Sequence, residues 1–519
     1  MASRNNNDSI KATLPARREL LRTGAALMFI IGIVFFVEVG LKGSYLLVIA
    51  AMIGGYMAIN IGANDVANNV GPAVGSGALT MTGAIILAVV FEAAGAIIAG
   101  GEVVGTIKKG IINPEMIGDS TTFVWLMIAA LLSGAIWLNV ATAVGAPVST
   151  THSIVGGVLG AGIAAGGLAI ADWSKMAEIA ASWVISPVLG GGIAAGFLYL
   201  IKQTITYRPD KLAAARRVVP VLVAIMVWTF STYLMLKGLK KIWKVELGMA
   251  LLIGLAIATV TYLIVRPVIS KATEHMSDDI DSVNKLFTMP LIFAAGLLSF
   301  AHGANDVANA IGPLAAINDA LMHGGISSTA AIPLWVMVIG ALGIALGLAL
   351  YGPKLVRTVG SEITDLDQSR AFCIAMSAAI TVIIASQMAL PVSSTHIAVG
   401  AVFGVGFLRE HVKATYAKAV HSIELHHQGD DREVVEAFLH NFQIATLRGR
   451  RLILKELEAG TSKAKLSEIE AQQLGINYRE HLVKRSALKK IIAAWIVTVP
   501  ASGLLAALIF YTIRGMSGS

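Results

Sequence analysis

The sequence predicts an all-α polytopic membrane protein with about twelve transmembrane helices in two inverted repeats. Some of these helices should be broken or re-entrant, and a soluble helical insert should lie between the second repeat and a final transmembrane helix. Three observations predict this. Of 519 residues, 56% are hydrophobic and only 14% charged, against the roughly 25% charge usual in soluble domains. Apolar runs long enough to cross a hydrocarbon layer of about 30 Å recur along most of the chain. Two short motifs also occur twice, in the same order.

The apolar runs place spans at 23–41, 45–61, 82–104, 122–143, 152–171, 178–201, 218–236, 247–265, 287–301, 332–353, 370–389, 395–409 and 490–513. Several are short or end in Gly, Asn and Pro, so some read as half-helices. Residues 1–22 form a basic segment (Arg4, Lys11, Arg17, Arg18, Arg22) that leads into a long apolar run without a small-residue cleavage site. That favours an uncleaved first helix over a signal peptide. Residues 23–201 form the first half, 202–286 connecting helices and loops, 287–409 the second half, and 490–519 a final transmembrane helix and tail.

Residues 410–489 differ. They are charged, lack apolar runs, and the stretch 409–490 holds six of the eleven histidines. Helical segments in water are expected around 431–459 and 464–490. His421, His426 and His427 form a cluster that could bind metal, although a solvated loop is the plainer reading. The 52 glycines suit helices packed through small residues. A single cysteine, Cys373, excludes an intrachain disulfide framework.

Net charge is +8, concentrated between apolar runs. This fits membrane-flanking basic loops, with a lipid bilayer as partner and no nucleic acid, since no aromatic-rich basic domain accompanies the charge. The N-terminus, the 202–217 loop and the 409–490 segment favour the cytoplasm. Lys237, Lys240, Lys241 and Lys244 favour it too, which conflicts with the 202–217 loop if the intervening run crosses once. The N-terminus is placed inside.

Residues 62–72 read GANDVANNVGP and residues 303–313 read GANDVANAIGP, identical at nine of eleven positions. PVSTTH follows the first at 147–152, and PVSSTH follows the second at 391–396. Two motifs repeated in order at nearly equal spacing mean that the core is duplicated. Secondary transporters built from two related halves hold substrate between them near the bilayer midplane, where interrupted helices expose backbone groups to cargo. Gly62 and Gly303 relax the backbone, while Pro72, Pro147, Pro313 and Pro391 cannot donate a helix hydrogen bond. An interruption is therefore expected at each motif.

Asp65 and Asp306 are carboxylates in apolar sequence, and burying either unpaired would cost several kcal/mol. Each needs a cation, a proton or a donor-lined cavity. Asn64, Asn68, Asn305 and Asn309 add amide oxygens. An oxygen-only cage suits a hard cation such as Na⁺ over soft transition metals; the alternative is that these carboxylates cap local half-helices. Ser149, Thr150 and Thr151, like Ser393, Ser394 and Thr395, stand just before apolar helical runs. Free N–H groups at a helix start, with added hydroxyls, can hold a tetrahedral oxyanion; ordinary N-capping competes with that reading. His152 and His396 can bond ligand, titrate or pack against a neighbouring helix. Glu92, expected to be buried, and Glu102 lie in and near the end of one apolar run, and the rough counterpart of Glu92 in the second half is the Gly340 region. Coupling and a satisfied structural pairing stand level for them.

The paired GANDVAN segments, each followed by P-V-S-[ST]-T-H, resemble the inorganic phosphate transporter (PiT) family, over roughly 45–200 and 287–409. The resemblance implies a symporter with two inverted-topology halves that carries inorganic phosphate with Na⁺ or, in some members, H⁺, and no organic cofactor. It implies that Asp65, Asn64, Asp306 and Asn305 coordinate cation or phosphate. It further implies that Ser149, Thr150, Thr151, Ser393, Ser394 and Thr395 bind phosphate. Some sodium-coupled relatives carry an acidic residue where this chain reads Phe372-Cys373-Ile374-Ala375-Met376, which leaves the coupling ion open. Other members move sulfate or metal–phosphate complexes.

Two rivals stand against transport in a multi-pass protein of the cell membrane. An embedded hydrolase has serine, histidine and aspartate to draw on, but the nucleophile elbow G-x-S-x-G does not accompany them. A passive anion channel would move phosphate without a cation gradient. A homodimer fits a moving core that needs a fixed partner surface.

Overall fold

The computed structural model describes residues 2–65, 67–143, 148–238, 245–323, 332–362, 366–426, 434–435, 437–439, 441 and 485–517. Among these the chain is almost wholly helical, with one isolated bridge between Ile112 and Ala171. The first half contains α1 (Ala2–Phe35), α2 (Tyr45–Asn64), α3 (Ala67–Gly75), α4 (Met81–Ala99), α5 (Gly101–Lys109), α6 (Ser120–Ala143), α7 (Thr150–Gly166) and α8 (Trp173–Ile201). Connecting helices are α9 (Lys211–Tyr233), α10 (Leu247–Ala272) and α11 (Ile280–Leu286). The second half contains α12 (Thr288–His323), α13 (Leu334–Glu362), α14 (Gln368–Gln387) and α15 (Ser394–His426), and the last helix is α16 (Arg485–Met516).

Eleven helices among the described residues are long and apolar enough to cross a membrane. The expected spans 152–171 and 395–409 are not among them; the first forms α7, of only 17 residues. Residues 82–104 divide at Gly100 into α4 and α5. Most of the insert, including most of the helices expected at 431–459 and 464–490, lies outside the described residues, as do His427, Lys240, Lys241 and Lys244; the described residues 434–435, 437–439 and 441 are helical, and 485–490 belong to α16. The chain separates into two compact units, residues 1–404 with 484–519, and residues 405–483.

Many apolar side chains point outward, among them Leu252, Val260, Leu263 and Ile264 of α10. A helix apolar on its outer side is stable in lipid, where no water penalises it.

The helical run breaks at both P-V-S copies, between α6 and α7 and between α14 and α15, but of the two GANDVAN copies only the first is interrupted. There α2 stops at Asn64, and α3 begins at Ala67. In the second half, α12 runs unbroken through 36 residues with Pro313 inside it. A proline removes one intrahelical bond, and packing against neighbours can carry that loss. Gly303 serves a different end: a Cβ there would strike the Glu92 carbonyl, so α12 and α4 are in backbone contact.

That contact is one of a reciprocal set. Gly303 meets Glu92 O while Gly62 meets Ile344 O; Gly95 meets Phe300 O while Gly347 meets Ile59 O. Each half's motif helix therefore packs on the other half's next helix. The same exchange recurs further on. Gly156 and Gly160 of α7 lie on Val499 and Gly503 of α16, and Gly400 and Gly404 of α15 lie on Pro187 and Gly191 of α8. Contacts in which i meets j and j meets i are the signature of a two-fold, here inside one chain. They make α16 the counterpart of α8, and they pair Glu92 with Ile344, one turn beyond the Gly340 region expected from sequence.

Candidate functional site

Asp65 closes α2. Its N–H donates to Ile61 O at 3.0 Å, and its own carbonyl accepts from both the N–H and the Nδ2 of Asn68, each at 3.0 Å. The helix end is thereby satisfied by backbone and amide groups, leaving the carboxylate for other partners. Those partners come from both halves. Thr150 Oγ1 donates to Asp65 Oδ2 at 2.7 Å, and Thr395 Oγ1 donates to Asp65 Oδ1 at 2.9 Å. Ser394 Oγ donates to Asp306 Oδ2 at 3.0 Å.

The asparagines follow the same two-fold plan. Asn68 Nδ2 donates to Thr395 Oγ1 at 2.9 Å, and Asn309 Nδ2 reaches Thr151 Oγ1 at 3.1 Å and Thr150 Oγ1 at 3.2 Å. Asn64 Nδ2 donates to Thr142 Oγ1 at 2.8 Å; Asn305 Nδ2 donates to Ser386 Oγ at 3.1 Å and Leu390 O at 3.2 Å. Thr142 and Ser386 each stand five residues before the proline of their P-V-S motif. They are site neighbours that the motifs themselves do not mark.

Ser149 and Ser393 behave as the capping alternative foresaw. Their hydroxyls accept from the N–H of His152 at 3.1 Å and of His396 at 3.2 Å. Thr151 Oγ1 donates across the halves to Val392 O at 2.9 Å. The two histidines form the centre of a ring ladder, Trp183–His152–His396–Trp495, with centroid separations of 3.8, 4.4 and 3.5 Å.

Both aspartates are 1% exposed. One ligand atom from each of Asp65, His302 and Asp306 lies within 4.8 Å of the others. Two carboxylates at that separation repel by about 3 kcal/mol at an effective dielectric of 20. Oδ1 of Asp306, Oδ1 of Asn305 and Oδ1 of Asn309 are buried without a hydrogen-bond partner among the described residues. The site thus combines excess negative charge with unused acceptor oxygens, a donor set suited to a hard cation.

His302 was not marked by sequence. It directly precedes the second motif, but the matching position before the first is Ile61, so a search for repeated residues passes over it. Its Nδ1 lies 3.1 Å from Glu92 Oε1 and its Nε2 2.8 Å from Asp306 Oδ2. Glu92 is buried and also accepts from Asn69 Nδ2 at 2.8 Å. Glu102 lies apart from this group, 3.4 Å from Lys237 Nζ.

The model of the phosphate transporter family matches residues 61–506, a stretch that contains both copies of both motifs. The chain belongs to that family. A Helicobacter pylori (strain J99) protein named "Putative phosphate permease" is 52% identical over 527 residues, covering 99% of each chain. A phosphate permease similarly named in Haemophilus influenzae is 40% identical, covering 71% of this transporter and 89% of its own length. Among solved structures, one described as the sodium-dependent phosphate transporter is similar with a TM-score of 0.73 and 31% identity, over 91% of this chain and 99% of that one. This phosphate transporter is accordingly a multi-pass protein of the cell membrane. Its relatives are permeases, not enzymes, which sets the hydrolase reading aside.

Proposed function

We infer that the protein is a Na⁺-coupled symporter of inorganic phosphate that works by alternating access. The observation that carries this reading is the meeting of Asp65 and Asp306 beside hydroxyls from both halves, with the Oδ1 atoms of Asp306, Asn305 and Asn309 left without donors among the described residues. Na⁺ as cargo fits these oxygens: it needs no soft ligand, and its charge offsets the repulsion between the carboxylates.

In this reading Asp65 and Asp306 supply the charge, and Asn64, Asn68, Asn305 and Asn309 supply amide groups. Thr150, Thr151, Ser394 and Thr395, at the starts of α7 and α15, offer hydroxyl and N–H donors to phosphate. Ser149 and Ser393 hold those helix starts in place through their caps. Cation binding lowers the local negative charge, phosphate then enters between the two hydroxyl clusters, and the loaded core moves. Coupling requires that the empty, singly loaded and fully loaded forms differ in their tendency to move.

H⁺ coupling is the second reading, favoured by one observation: the buried stretch Phe372–Met376 of α14 contributes no carboxylate. Proteoliposomes separate the two. Radiolabelled phosphate uptake is measured with Na⁺ and pH gradients imposed in turn and sulfate as competitor. Accumulation driven by Na⁺ alone is the expected result, and uptake driven only by a pH gradient would defeat the Na⁺ reading.

A further inference from the structure

The two halves of the site match almost residue for residue, and they part company at one place. Beside Asp306 stand His302, Glu92 and Asn69, joined by contacts of 2.8 to 3.1 Å. Aligning the motifs pairs His302 with Ile61 and Asn69 with Ala310. The reciprocal backbone contacts pair Glu92 with Ile344. Ile61, Ile344 and Ala310 are all buried.

The apolar trio demonstrates that this fold can fill the position with hydrocarbon. Burying an imidazole, a carboxylate and an amide in its place costs desolvation that such pairing rarely repays in stability. Departures of this kind from the stabilising choice concentrate at functional positions.

The geometry of the polar trio is also confined. Glu92 sits on α4 and His302 on α12, and the two backbones touch where Gly303 meets the Glu92 carbonyl and Gly95 meets the Phe300 carbonyl. A displacement of Asp306 is therefore passed through the imidazole to Glu92 instead of being absorbed by slack packing.

We propose that His302 is a positioning residue that ties Asp306 to Glu92 and so makes the two cation-binding ends of the site unequal. Asp306 is held by Ser394 and by the His302–Glu92–Asn69 chain, whereas Asp65 is held by the hydroxyls of Thr150 and Thr395. Outer partners of this sort fix the orientation of a ligating carboxylate, and their loss typically costs 10- to 100-fold in metal affinity. The proposal rests on the Na⁺-coupled reading above.

The experiment uses the full chain in proteoliposomes, with ²²Na⁺ and ³²P-phosphate uptake measured on wild type, His302→Ile, His302→Gln, Glu92→Gln and the Glu92→Gln/His302→Ile double variant. His302→Ile copies the other half. It should raise half-saturating Na⁺ about tenfold while phosphate KM at saturating Na⁺ shifts less than about twofold. His302→Gln, which keeps a polar side chain of similar reach, should recover most of the Na⁺ affinity. On the Glu92→Gln background the His302→Ile change should add almost nothing, because the chain is already cut.

Unaltered Na⁺ dependence in His302→Ile overturns the proposal, as does a parallel rise in phosphate KM. Effects of His302→Ile and Glu92→Gln that simply multiply overturn it too. Should His302→Ile fail to accumulate as folded protein, the same cycle is run with His302→Ala, which also removes the imidazole link, and multiplying effects there are equally fatal. Wild-type uptake indifferent to Na⁺ would defeat the coupling reading and this proposal with it, and that result is visible before any variant is made.

Discussion

Thr395 of the second half donates to the Asp65 carboxylate of the first across 2.9 Å, while Asn68 donates to the same hydroxyl. One side chain thus serves as acceptor for one motif residue and donor to another, 330 positions along the chain from the aspartate. Thr395→Val keeps the shape and removes both bonds. The expected outcome is a loss of about 1–3 kcal/mol in thermal stability in detergent, with phosphate KM raised at least severalfold in vesicle uptake.

Asp65→Asn and Asp306→Asn should each reduce phosphate uptake by at least about tenfold with little change in the yield of folded protein. The amide is close to isosteric and loses only the charge. Fluorescence-detected gel filtration, run beside the uptake assay, separates a transport defect from a folding defect. Unchanged uptake kinetics in either variant would contradict the role assigned to that carboxylate.

Lys108 and Asp319 form a 2.7 Å ion pair with side chains 6% and 3% exposed. Breaking a buried pair from one side costs about 3–5 kcal/mol, whereas replacing both partners with apolar residues is often near neutral. Lys108→Ala should therefore unfold at a clearly lower temperature than wild type, and the Lys108→Met/Asp319→Leu double variant should lie much closer to it.

The ring ladder through His152 and His396 has a separate consequence. If the imidazoles matter chiefly as flat groups between Trp183 and Trp495, His152→Phe and His396→Phe should keep uptake within about threefold of wild type, since aromatic pairs of this kind contribute only about 0.5–1.5 kcal/mol beyond area. Abolished uptake in folded protein would return both histidines to the ligand-bonding or titrating role that the sequence left open.

Gly303→Ala places a methyl group against the Glu92 carbonyl and should cost about 1–3 kcal/mol. Gly192 has open space around the corresponding position, so Gly192→Ala is the neutral control. Equal melting temperatures for the two would remove the close α4–α12 contact from the account.

Much of this was legible in the sequence because duplication writes the same residues twice. Asp65, Asp306, Asn68, Asn309, Thr150 and Thr395 were all visible in the motifs, and the structure gathers them. His302 escaped because its partner position is Ile61, so a search for repeated residues passes over a site neighbour that is not repeated. Helix interruption was read from Gly and Pro in both motifs; both P-V-S copies do break, yet of the GANDVAN copies only the first does. In α12 the glycine answers to the proximity of another backbone, and composition cannot report what lies alongside. The kinship of α8 and α16 was hidden by the long insert. It emerges only once Gly160 is found against Gly503 and Gly404 against Gly191.

That crossed seating of helices bears on how the protein is made. During synthesis α7 leaves the ribosome long before the helix destined to cover Gly156 and Gly160, and until translation reaches residue 503 that glycine groove has no occupant. Neither half can be finished alone, so a nascent chain arrested before α16 leaves the small-residue face of α7 without the helix that covers it in the finished protein.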